Sequence, residues 1–451
     1  MPDSAFPLPD NEEIEALVSA ERTDDLKTLL ADYHPADIAD LLDELSDESA
    51  LAIFNILPND IASEVLDETG SLVRQELVEK VDDERLADLL DELPMDDAAE
   101  FVADLPEPIA ERLLGLMEPE EAEDVRELLA YEDETAGRLM TTDVARLRRN
   151  WSAARAIDYL RSLEDQEMLH YLYVVDRHDV LIGIVPLRDL MLAQPQVTVG
   201  DIMQPGVVSV PVTADQEDLA DFISRYDYIS IPVVDNAGRF LGVVTVDDAL
   251  DVLAEEATED IQRLGGSEPL DQPYFAASIS RVVSKRIGWL LLLFVASTLT
   301  GTVINIFKDE ISTIITLSLF IPLIIGTGGN AGSQTVATII RAITLDEVRL
   351  GNVWQAVRRE VTVGAILGLA MAAVGFVRAI FWHTGLDVAL VVAFTLPAVV
   401  IWATTIATVV PTLADRLHID PTVISGPMIS TIVDATGLLI YFSLARLLLK
   451  V

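Results

Sequence analysis

The sequence contains no cysteine, only five lysines and only five histidines, and these shortages exclude whole classes of protein. Without cysteine there is no disulfide, thiolate metal site or cysteine nucleophile. The histidines are His34, His170, His178, His383 and His418. Their positions show no metal-ligand spacing and accompany no nucleophile motif, so we do not expect an enzyme. Residues 1–30 lack the basic and apolar regions of a cleaved signal peptide, so we expect the N-terminal half to stay in the cytoplasm.

Negative charge dominates the chain, which carries 75 acidic and 30 basic residues. Only 10 acidic and 12 basic residues follow Leu270, which leaves 65 acidic and 18 basic residues before it. A surface this negative repels nucleic acid and anionic lipid and attracts cations. Halophilic adaptation is a second explanation of the acidity, and it is compatible with specific carboxylate sites.

The acidic part begins with a repeated helical pattern in residues 34–130. Pairs of an aliphatic residue and alanine recur at Ile38, Ile61, Leu86 and Ile109, with spacings of 23, 25 and 23 residues. Such a repeat predicts paired helices stacked as a superhelix. An ordinary helical domain with coincidental spacing is the alternative. Either interpretation makes residues 1–135 an all-helical domain.

Two α/β units follow in residues 136–245. Asp176 and Asp235 each end an apolar strand and are 59 residues apart, which indicates an internal duplication. A strand–turn–strand–helix pattern at this period resembles the CBS domain pair, a regulatory module that often binds adenine nucleotides. The nucleotide-binding residues that this resemblance implies are Gly242, Thr245 and Asp248. The first copy departs from the pattern, because Pro186 stands in place of the threonine.

Residues 246–270 are predicted to connect the acidic part to the rest, with one helix over 246–264. The apolar stripe of this helix is Val246, Leu250, Leu253, Ala257, Ile261 and Leu264. The acidic residues on the opposite face are Asp248, Asp251, Glu255 and Glu259. Like charges spaced at i,i+4 cost a helix roughly 0.2–0.5 kcal/mol per pair. A solvated face is one explanation, and a contact bridged by cations is the other.

Residues 271–451 are predicted to form a transmembrane domain of five helices. The apolar segments lie near 287–306, 312–341, 361–381, 388–410 and 421–445. Each is long enough to cross about 30 Å of hydrocarbon as a helix. The basic residues of the connections are mostly on one side, which favours a cytoplasmic N-terminus and an outside C-terminus.

Two features of this half carry the chemistry. Asp434 is the only carboxylate in the middle of a span, and a charge at that depth, which costs about 2.5–3.5 kcal/mol, usually faces a polar pathway. The second feature is the segment 322–334, whose glycines are Gly326, Gly328, Gly329 and Gly332. We expect these glycines to break the helix and line a cavity. Close packing of small residues between helices is the alternative. Gly426 and Pro427 are expected to make a similar break in the last span.

These motifs resemble the MgtE family of magnesium channels and transporters over nearly the whole chain. The most specific are the segments 326–330 and 431–437, together with Asp420-Pro421 and Gly426-Pro427. The resemblance implies a homodimer with its pore on the two-fold axis and Asp434 of both chains at the selectivity site. We place Gly328, Gly329 and Asn330 beside it. Asp420 is implied to meet the connecting helix through a bound cation.

The resemblance also implies a set of carboxylates that sense the ion. They are Glu64, Asp96, Glu100, Asp215, Glu217, Asp227, Asp248, Asp251, Glu255, Glu256, Glu259 and Asp260. Some relatives carry Asn where this chain has Gly426, so a gating role of that side chain does not transfer.

The expected function is import of Mg²⁺ across the cytoplasmic membrane through a multi-pass channel. Mg²⁺ prefers oxygen ligands and gives up its water reluctantly, so a wide carboxylate site holds it with waters kept. Bound Mg²⁺ would draw the acidic domains together and close the pore. A proton- or Na⁺-coupled divalent-cation carrier is the alternative, and ATP binding to the CBS pair would make the soluble half a nucleotide sensor.

Overall fold

The computed structural model describes residues 11–20, 22–163, 170–270, 274–275, 277–345, 347–417 and 419–450. His418 and residues 1–10, part of the segment searched for a signal peptide, lie outside the described residues. The chain separates into two compact units, Met1–Glu256 and Ala257–Val451.

The first unit begins with a series of short helices. They are α1 (Asn11–Ser19), α2 (Thr23–Leu30), α3 (Pro35–Glu44), α4 (Asp47–Phe54), α5 (Asn59–Glu68), α6 (Ser71–Lys80), α7 (Asp83–Asp91), α8 (Met95–Ala103), α9 (Glu107–Leu114) and α10 (Pro119–Leu129). Helices α3, α5, α7 and α9 pack in sequence, each on the next. These four helices carry the repeated aliphatic–alanine pairs, and Ala39, Ala62 and Ala87 are all buried. The predicted all-helical region is confirmed.

An arginine of α7 contacts the C-terminus of α4. Arg85 of α7 donates to the carbonyl oxygens of Phe54, Asn55 and Leu57 at 3.2, 3.0 and 3.0 Å. The last carbonyls of a helix have no partner within the helix, so this guanidinium satisfies the C-terminus of α4.

The predicted duplication is confirmed by two matching sheets. The elements are α11 (Ala136–Leu139), β1 (Arg146–Arg148), α12 (Ala153–Leu160), β2 (Tyr171–Val175), β3 (Leu181–Pro186), α13 (Leu187–Leu192), α14 (Val199–Ile202), β4 (Val210–Pro211), α15 (Gln216–Tyr226), β5 (Ser230–Val234) and β6 (Phe240–Thr245). The orders β1-β2-β3 and β4-β5-β6 combine one parallel and one antiparallel pairing each. Val174 pairs with Gly183 as Val233 pairs with Gly242, so even the register repeats.

Helix α16 (Val246–Leu264) has the predicted bounds and contains the boundary between the two units. Its predicted apolar stripe is wrong in part, because Leu250 and Ile261 are 60% and 71% exposed. Ala249 and Val252 are buried instead, in the core that also holds the α1–α10 series. The helix therefore turns a face that includes Asp248 toward the first unit's interior.

The second unit contains the five predicted membrane-spanning helices. Its elements are α17 (Ile279–Ile306), α18 (Lys308–Thr313), a 3₁₀ helix (Ile315–Phe320), α19 (Ile321–Thr344), α20 (Val353–Phe381), α21 (Leu386–Arg416), a 3₁₀ turn (Pro421–Val423) and α22 (Gly426–Leu449). The last span begins at Gly426 rather than at 421, because Ser425 caps it and Pro427 occupies its first turn.

The predicted break at the glycines of the second span is wrong. α19 runs without interruption from Ile321 to Thr344. A side-chain methyl at Gly328 would come within 2.7 Å of Val399 and 2.8 Å of Val433, and one at Gly332 within 2.9 Å of Ile429. The glycines thus serve close helix packing, and in an apolar medium the backbone keeps its helical hydrogen bonds because nothing else can satisfy them.

Candidate cation sites

Asp434 lies on α22, eight residues after the helix start and thus about 12 Å along its axis. Its Oδ1 is buried and has no hydrogen-bond partner among the residues that the structure describes. The nearest feature of α19 is Gly329, where a Cβ atom would stand 3.5 Å from that oxygen. A buried carboxylate without a partner is costly, and a carboxylate at this depth of a membrane span usually faces a polar pathway.

The three residues predicted beside Asp434 have different surroundings. Gly329 adjoins the carboxylate, whereas Gly328 packs against the valines of α21 and α22. Asn330 lies on an exposed face of α19, together with Gly326 and Gln334 at helical spacing. Within one chain, therefore, only Gly329 is brought to Asp434.

A second concentration of carboxylates lines a cleft of about 430 Å³ in the first unit. The acidic residues that line it are Glu64, Asp67, Glu68, Asp96, Asp97, Asp247, Asp248 and Asp251. One oxygen each from Asp96, Asp97 and Asp248 lie within 4.8 Å of one another. An octahedral Mg²⁺ places its ligand oxygens about 3–4 Å apart, so a small movement or a bridging water suits this triad to it.

The cleft concentrates negative charge, because eight of the residues that line it are acidic. Burial raises the pKa of Asp67 to about 6, against the opposing charge of Arg74. Burial also raises the pKa of Asp248 to about 6, although hydrogen bonds from Thr245 oppose the shift. The pKa of Asp251, which also lines the cleft, is raised too, with burial the largest cause. Outside the lining residues, burial likewise raises the pKa values of Glu100 and Glu255. A divalent cation in the cleft would stabilise Asp67, Asp248 and Asp251 in their charged form.

The predicted sensing residues of the second α/β unit do not join this cleft. Asp215 caps α15 by accepting from the backbone N–H groups of Glu217 and Asp218 at 3.0 and 3.4 Å. Asp227 ends the same helix with a φ of 54°. Since α15 has 11 residues, its two ends are about 16 Å apart, and one ion cannot contact both within a chain. Glu256 accepts from Gln216 Nε2 at 2.9 Å.

Asp420 meets the connecting helix through an arginine. Arg263 Nη1 lies 2.8 Å from Asp420 Oδ2, and Arg263 Nη2 lies 2.8 Å from Glu259 Oε2. Asp420 Oδ1 accepts from the backbone N–H of Thr422 at 2.8 Å. The resemblance implied a bound cation at this place, and in the structure the Arg263 guanidinium supplies a positive charge there. Asp260, the residue after Glu259, is half-buried on the same helix.

The candidate nucleotide residues have structural roles of their own. A Cβ atom at Gly242 would come within 2.2 Å of the Thr141 carbonyl oxygen, so this glycine permits a close approach of two backbones. Thr245 donates through both its hydroxyl and its N–H to Asp248. Asp248 therefore belongs to the acidic cleft as well as to the nucleotide pattern.

Sequence reasoning missed Asp67, Asp97 and Arg263. Asp97 adjoins the predicted Asp96, and Arg263 follows Glu259 at the i,i+4 spacing of a helical ion pair, so both carried a local signal. Asp67 carried none, because its importance comes from burial beside distant helices.

Comparison with known proteins extends these observations to the whole chain. Residues 321–444 match the MgtE family model, described as a divalent cation transporter, and residues 33–134 match the MgtE intracellular N domain. Residues 136–195 and 199–255 match the CBS domain. The magnesium transporter MgtE of Thermus thermophilus is 35% identical over 94% of this chain and 95% of its own. That of Enterococcus faecalis is 35% identical over 73% of each chain.

Two solved structures resemble the first part of the chain. One is the soluble part of a magnesium transporter, with 30% identity, a TM-score of 0.51 and coverage of 55% of this chain and all of that one. The other is the cytosolic domain of the Mg²⁺ channel MgtE in complex with ATP, with 35% identity, a TM-score of 0.51 and coverage of 54% and 100%. These relatives are transporters or channels and not enzymes, as the sequence predicted.

Proposed function

The chain belongs to the MgtE family of divalent cation transporters, and on that premise we propose that it imports Mg²⁺ across the cytoplasmic membrane, with Asp434 as the selecting residue. The observation that carries this proposal is the buried Oδ1 of Asp434, which no described residue satisfies. Its chemistry suits a hydrated hard cation, because the waters of Mg²⁺ donate hydrogen bonds to carboxylate oxygens.

The cation path is proposed to run along the face of α19 that carries Gly326, Asn330 and Gln334. This face is exposed in a single chain. Amide side chains do not face hydrocarbon without cost, so water or a second copy of the chain must cover them. The homodimer implied by the family resemblance meets that requirement. Crosslinking of the purified protein in detergent, followed by mass determination, tests the dimer.

Regulation is proposed to reside in the acidic cleft of the first unit. Without a cation, the carboxylates of Asp96, Asp97 and Asp248 repel one another. Cytosolic Mg²⁺ would bridge them and favour the conformation of α16 that closes the path, which requires the ion to bind the closed state more tightly. We retain the division into residues 1–135, 136–245, 246–270 and 271–451 as part of this proposal, with the N-terminus cytoplasmic and the C-terminus outside.

Uptake of Mg²⁺ into proteoliposomes tests the transport proposal. Asp434→Asn keeps the shape of the side chain and removes its charge, and we expect at least a tenfold loss of Mg²⁺ uptake. Asp387→Asn is the matched control, because Asp387 is an exposed carboxylate of the same unit, and its uptake should equal that of the parent. Normal uptake and normal ion discrimination by Asp434→Asn would refute the proposal. A flux that shifts with the proton gradient would favour the coupled carrier instead.

Currents from excised membrane patches test the regulatory proposal. Neutralising Asp96, Asp97 and Asp248 together should leave the current insensitive to Mg²⁺ applied on the cytosolic side. The same should hold for a variant in which the four acidic residues of the α16 face, namely Asp248, Asp251, Glu255 and Glu259, are changed to their amides. Inhibition that persists unchanged in both variants would contradict a role for the cleft.

ATP binding to the CBS pair is the remaining part of the proposal. It is supported by the relative whose cytosolic domain was solved with ATP and by the Gly242, Thr245 and Asp248 pattern. Calorimetric titration of residues 1–270 with ATP tests it, and Thr245→Val should weaken binding if the hydroxyl contacts the nucleotide.

A further inference from the structure

Two serine hydroxyls link α19 and α22 one helical turn before Asp434 on α22. Ser333 Oγ and Ser430 Oγ are 2.9 Å apart. Ser333 also donates to the carbonyl oxygen of Gly426 at 3.2 Å, and Ser430 donates to that of Gly329 at 3.3 Å. Each hydroxyl therefore reaches the opposite helix one turn before the other serine, so the two helices are joined by a reciprocal pair of contacts.

This serine pair is placed to affect the cation path. Ser430 precedes Asp434 by four residues on α22, so the two side chains lie on one face of that helix. Gly329, whose carbonyl oxygen accepts from Ser430, is also the residue of α19 whose Cβ position lies 3.5 Å from Asp434 Oδ1. The pair thus holds the same two backbones that border the carboxylate.

The two hydroxyls of the pair have fewer hydrogen atoms to donate than they have hydrogen-bond contacts. Two hydroxyls supply two protons, but they make three contacts, because both carbonyls and the contact between the two oxygens each need one. At any moment one of these contacts has no hydrogen. The group therefore keeps a free oxygen lone pair, which attracts a cation or the hydrogen of a water molecule.

Close packing makes the separation of the helices sensitive to the hydroxyls. A Cβ atom at Gly329 would come within 3.3 Å of Ser430 Oγ, and one at Gly426 within 3.4 Å of Ser333 Oγ. On each side of the pair, therefore, the serine side chain of one helix lies against a glycine of the other helix. Discrimination by size requires a site held to within about 0.5 Å. Mg²⁺ demands near-ideal octahedral geometry, whereas the larger Ca²⁺ tolerates irregular coordination.

We propose that Ser333 and Ser430 are positioning residues that fix the spacing of α19 and α22 beside Asp434 and so determine how well Mg²⁺ is distinguished from larger divalent cations. The proposal rests on the proposed function, since it assumes that cations pass Asp434. The serine pair stays intact while the ion passes, so that it acts as a fixed support rather than as a gate.

The first test compares uptake of Mg²⁺ and Ca²⁺ by proteoliposomes. We expect Ser333→Ala and Ser430→Ala each to lower the Mg²⁺/Ca²⁺ uptake ratio about fivefold, the effect of losing one ordinary hydrogen bond. The double variant should lose more than either single variant but less than the product of the two losses, because the contact between the two hydroxyls is shared. Ser297→Ala is the control, since the Ser297 hydroxyl bonds only within α17.

The ratio separates positioning from simple stabilisation. Loss of folded protein lowers both uptake rates together and leaves the ratio unchanged. Asp434→Asn is measured in parallel in the same assay. If Asp434→Asn abolishes uptake but both single serine variants keep the parent Mg²⁺/Ca²⁺ ratio, this proposal is overturned and the proposed function stands. If Asp434→Asn transports normally, the proposed function itself fails.

The second test uses the absence of cysteine from the chain. A Ser333→Cys/Ser430→Cys variant has only these two thiols, and the short distance between the native oxygens favours a disulfide. Because the pair is a fixed support, an unstrained disulfide should leave the spacing of the two helices unchanged. The oxidised variant should therefore transport Mg²⁺ at a rate within about twofold of the reduced one. Uptake that is lost on oxidation and restored by a reductant would show that the helices must separate, which contradicts the proposal.

Discussion

Removal of divalent cations should reverse the way in which acid affects the stability of the cytosolic unit. Asp67 and Asp248 have pKa values of about 6 in the fold, above the value of 3.8 for a free carboxyl group. The folded protein therefore binds these protons more tightly than the unfolded chain does. The stability that protonation provides is full below about pH 4 and is lost as the pH rises through about 6.

The size of the effect follows from the two pKa values. Lowering the pH from about 7.5 to about 5 should stabilise the metal-free fold by roughly 1.4 kcal/mol for each group, or up to about 3 kcal/mol for both. Glu100, Asp251 and Glu255 add in the same direction, because their pKa values are also raised. Asp176 and Asp235 act oppositely, since backbone hydrogen bonds lower their pKa values, but only at pH values below this range.

Bound Mg²⁺ should change the sign. The ion keeps the carboxylates charged, so acid must displace it, and the stability that binding provides is lost as the pH falls. Urea unfolding of residues 1–270, followed by far-UV circular dichroism with a chelator or with millimolar Mg²⁺, measures both slopes. The Asp67→Asn/Asp248→Asn variant should show a flatter metal-free slope, and Asp60→Asn, an exposed change on the same helix as Asp67, should not. Metal-free protein that loses stability on acidification would refute the reasoning.

Three further predictions concern contacts that the structure makes explicit. Arg263→Gln leaves Glu259 and Asp420 without their shared cation, so about fivefold more cytosolic Mg²⁺ should be needed to halve the patch current, while Arg263→Lys should change it less; an unchanged midpoint would dismiss the contact. Gly328→Ala forces a methyl group against Val399 and Val433, so it should destabilise the detergent-solubilised protein by about 1–3 kcal/mol in thermal unfolding. Gly326→Ala is the control and should leave the stability unchanged, because a Cβ atom at Gly326 has nothing within 4 Å. Arg85→Ala should cost residues 1–270 about 2 kcal/mol in urea unfolding, because three carbonyls at the C-terminus of α4 lose their partner; the exposed Arg22→Ala should cost less than about 0.5 kcal/mol.

Periodicity in the sequence was enough to predict most of the architecture. The bounds of α16, the repeated register of the two sheets and the five apolar helices all follow from patterns that operate over a few residues. The apolar stripe of α16 failed at Leu250 and Ile261 because burial on a helix depends on which neighbour packs there, and Ala249 is small enough to approach the core closely.

The glycines of α19 show that the low helix propensity of glycine in water does not predict its behaviour in a membrane span. Glycine weakens a helix in water because the unfolded backbone is free and hydrated. In hydrocarbon the backbone must satisfy its own hydrogen bonds, so the helix persists through Gly326, Gly328, Gly329 and Gly332. Gly328, Gly329 and Gly332 then acquire a different use, which is to let α22 approach.

The cleft could not be predicted in full because acidic residues are abundant throughout the first 270 positions. Asp97 and Asp248 are 151 residues apart in sequence, and no local pattern joins them. Asp67 differs from its acidic neighbours only in being buried. Where acidic residues are this abundant, the distinguishing property of a site is how far its carboxylates are removed from water.

The two candidate sites differ in the number of charges that face the ion, and this difference suits their proposed roles. Affinity for a hard cation rises with the number of coordinating carboxylates and with the rigidity of the site. Eight acidic residues line the cleft, whereas Asp434 is a single carboxylate in its span. A conducting site must release its ion, so one charge per chain assisted by neutral oxygens such as those of Ser333 and Ser430 favours rapid passage. A sensor must instead retain the ion at the concentration that closes the path, which the clustered carboxylates of the cleft allow. On this reasoning, adding a second carboxylate beside Asp434, as in Ser430→Asp, should strengthen Mg²⁺ binding and slow Mg²⁺ uptake, and faster uptake in that variant would contradict the assignment of the two roles.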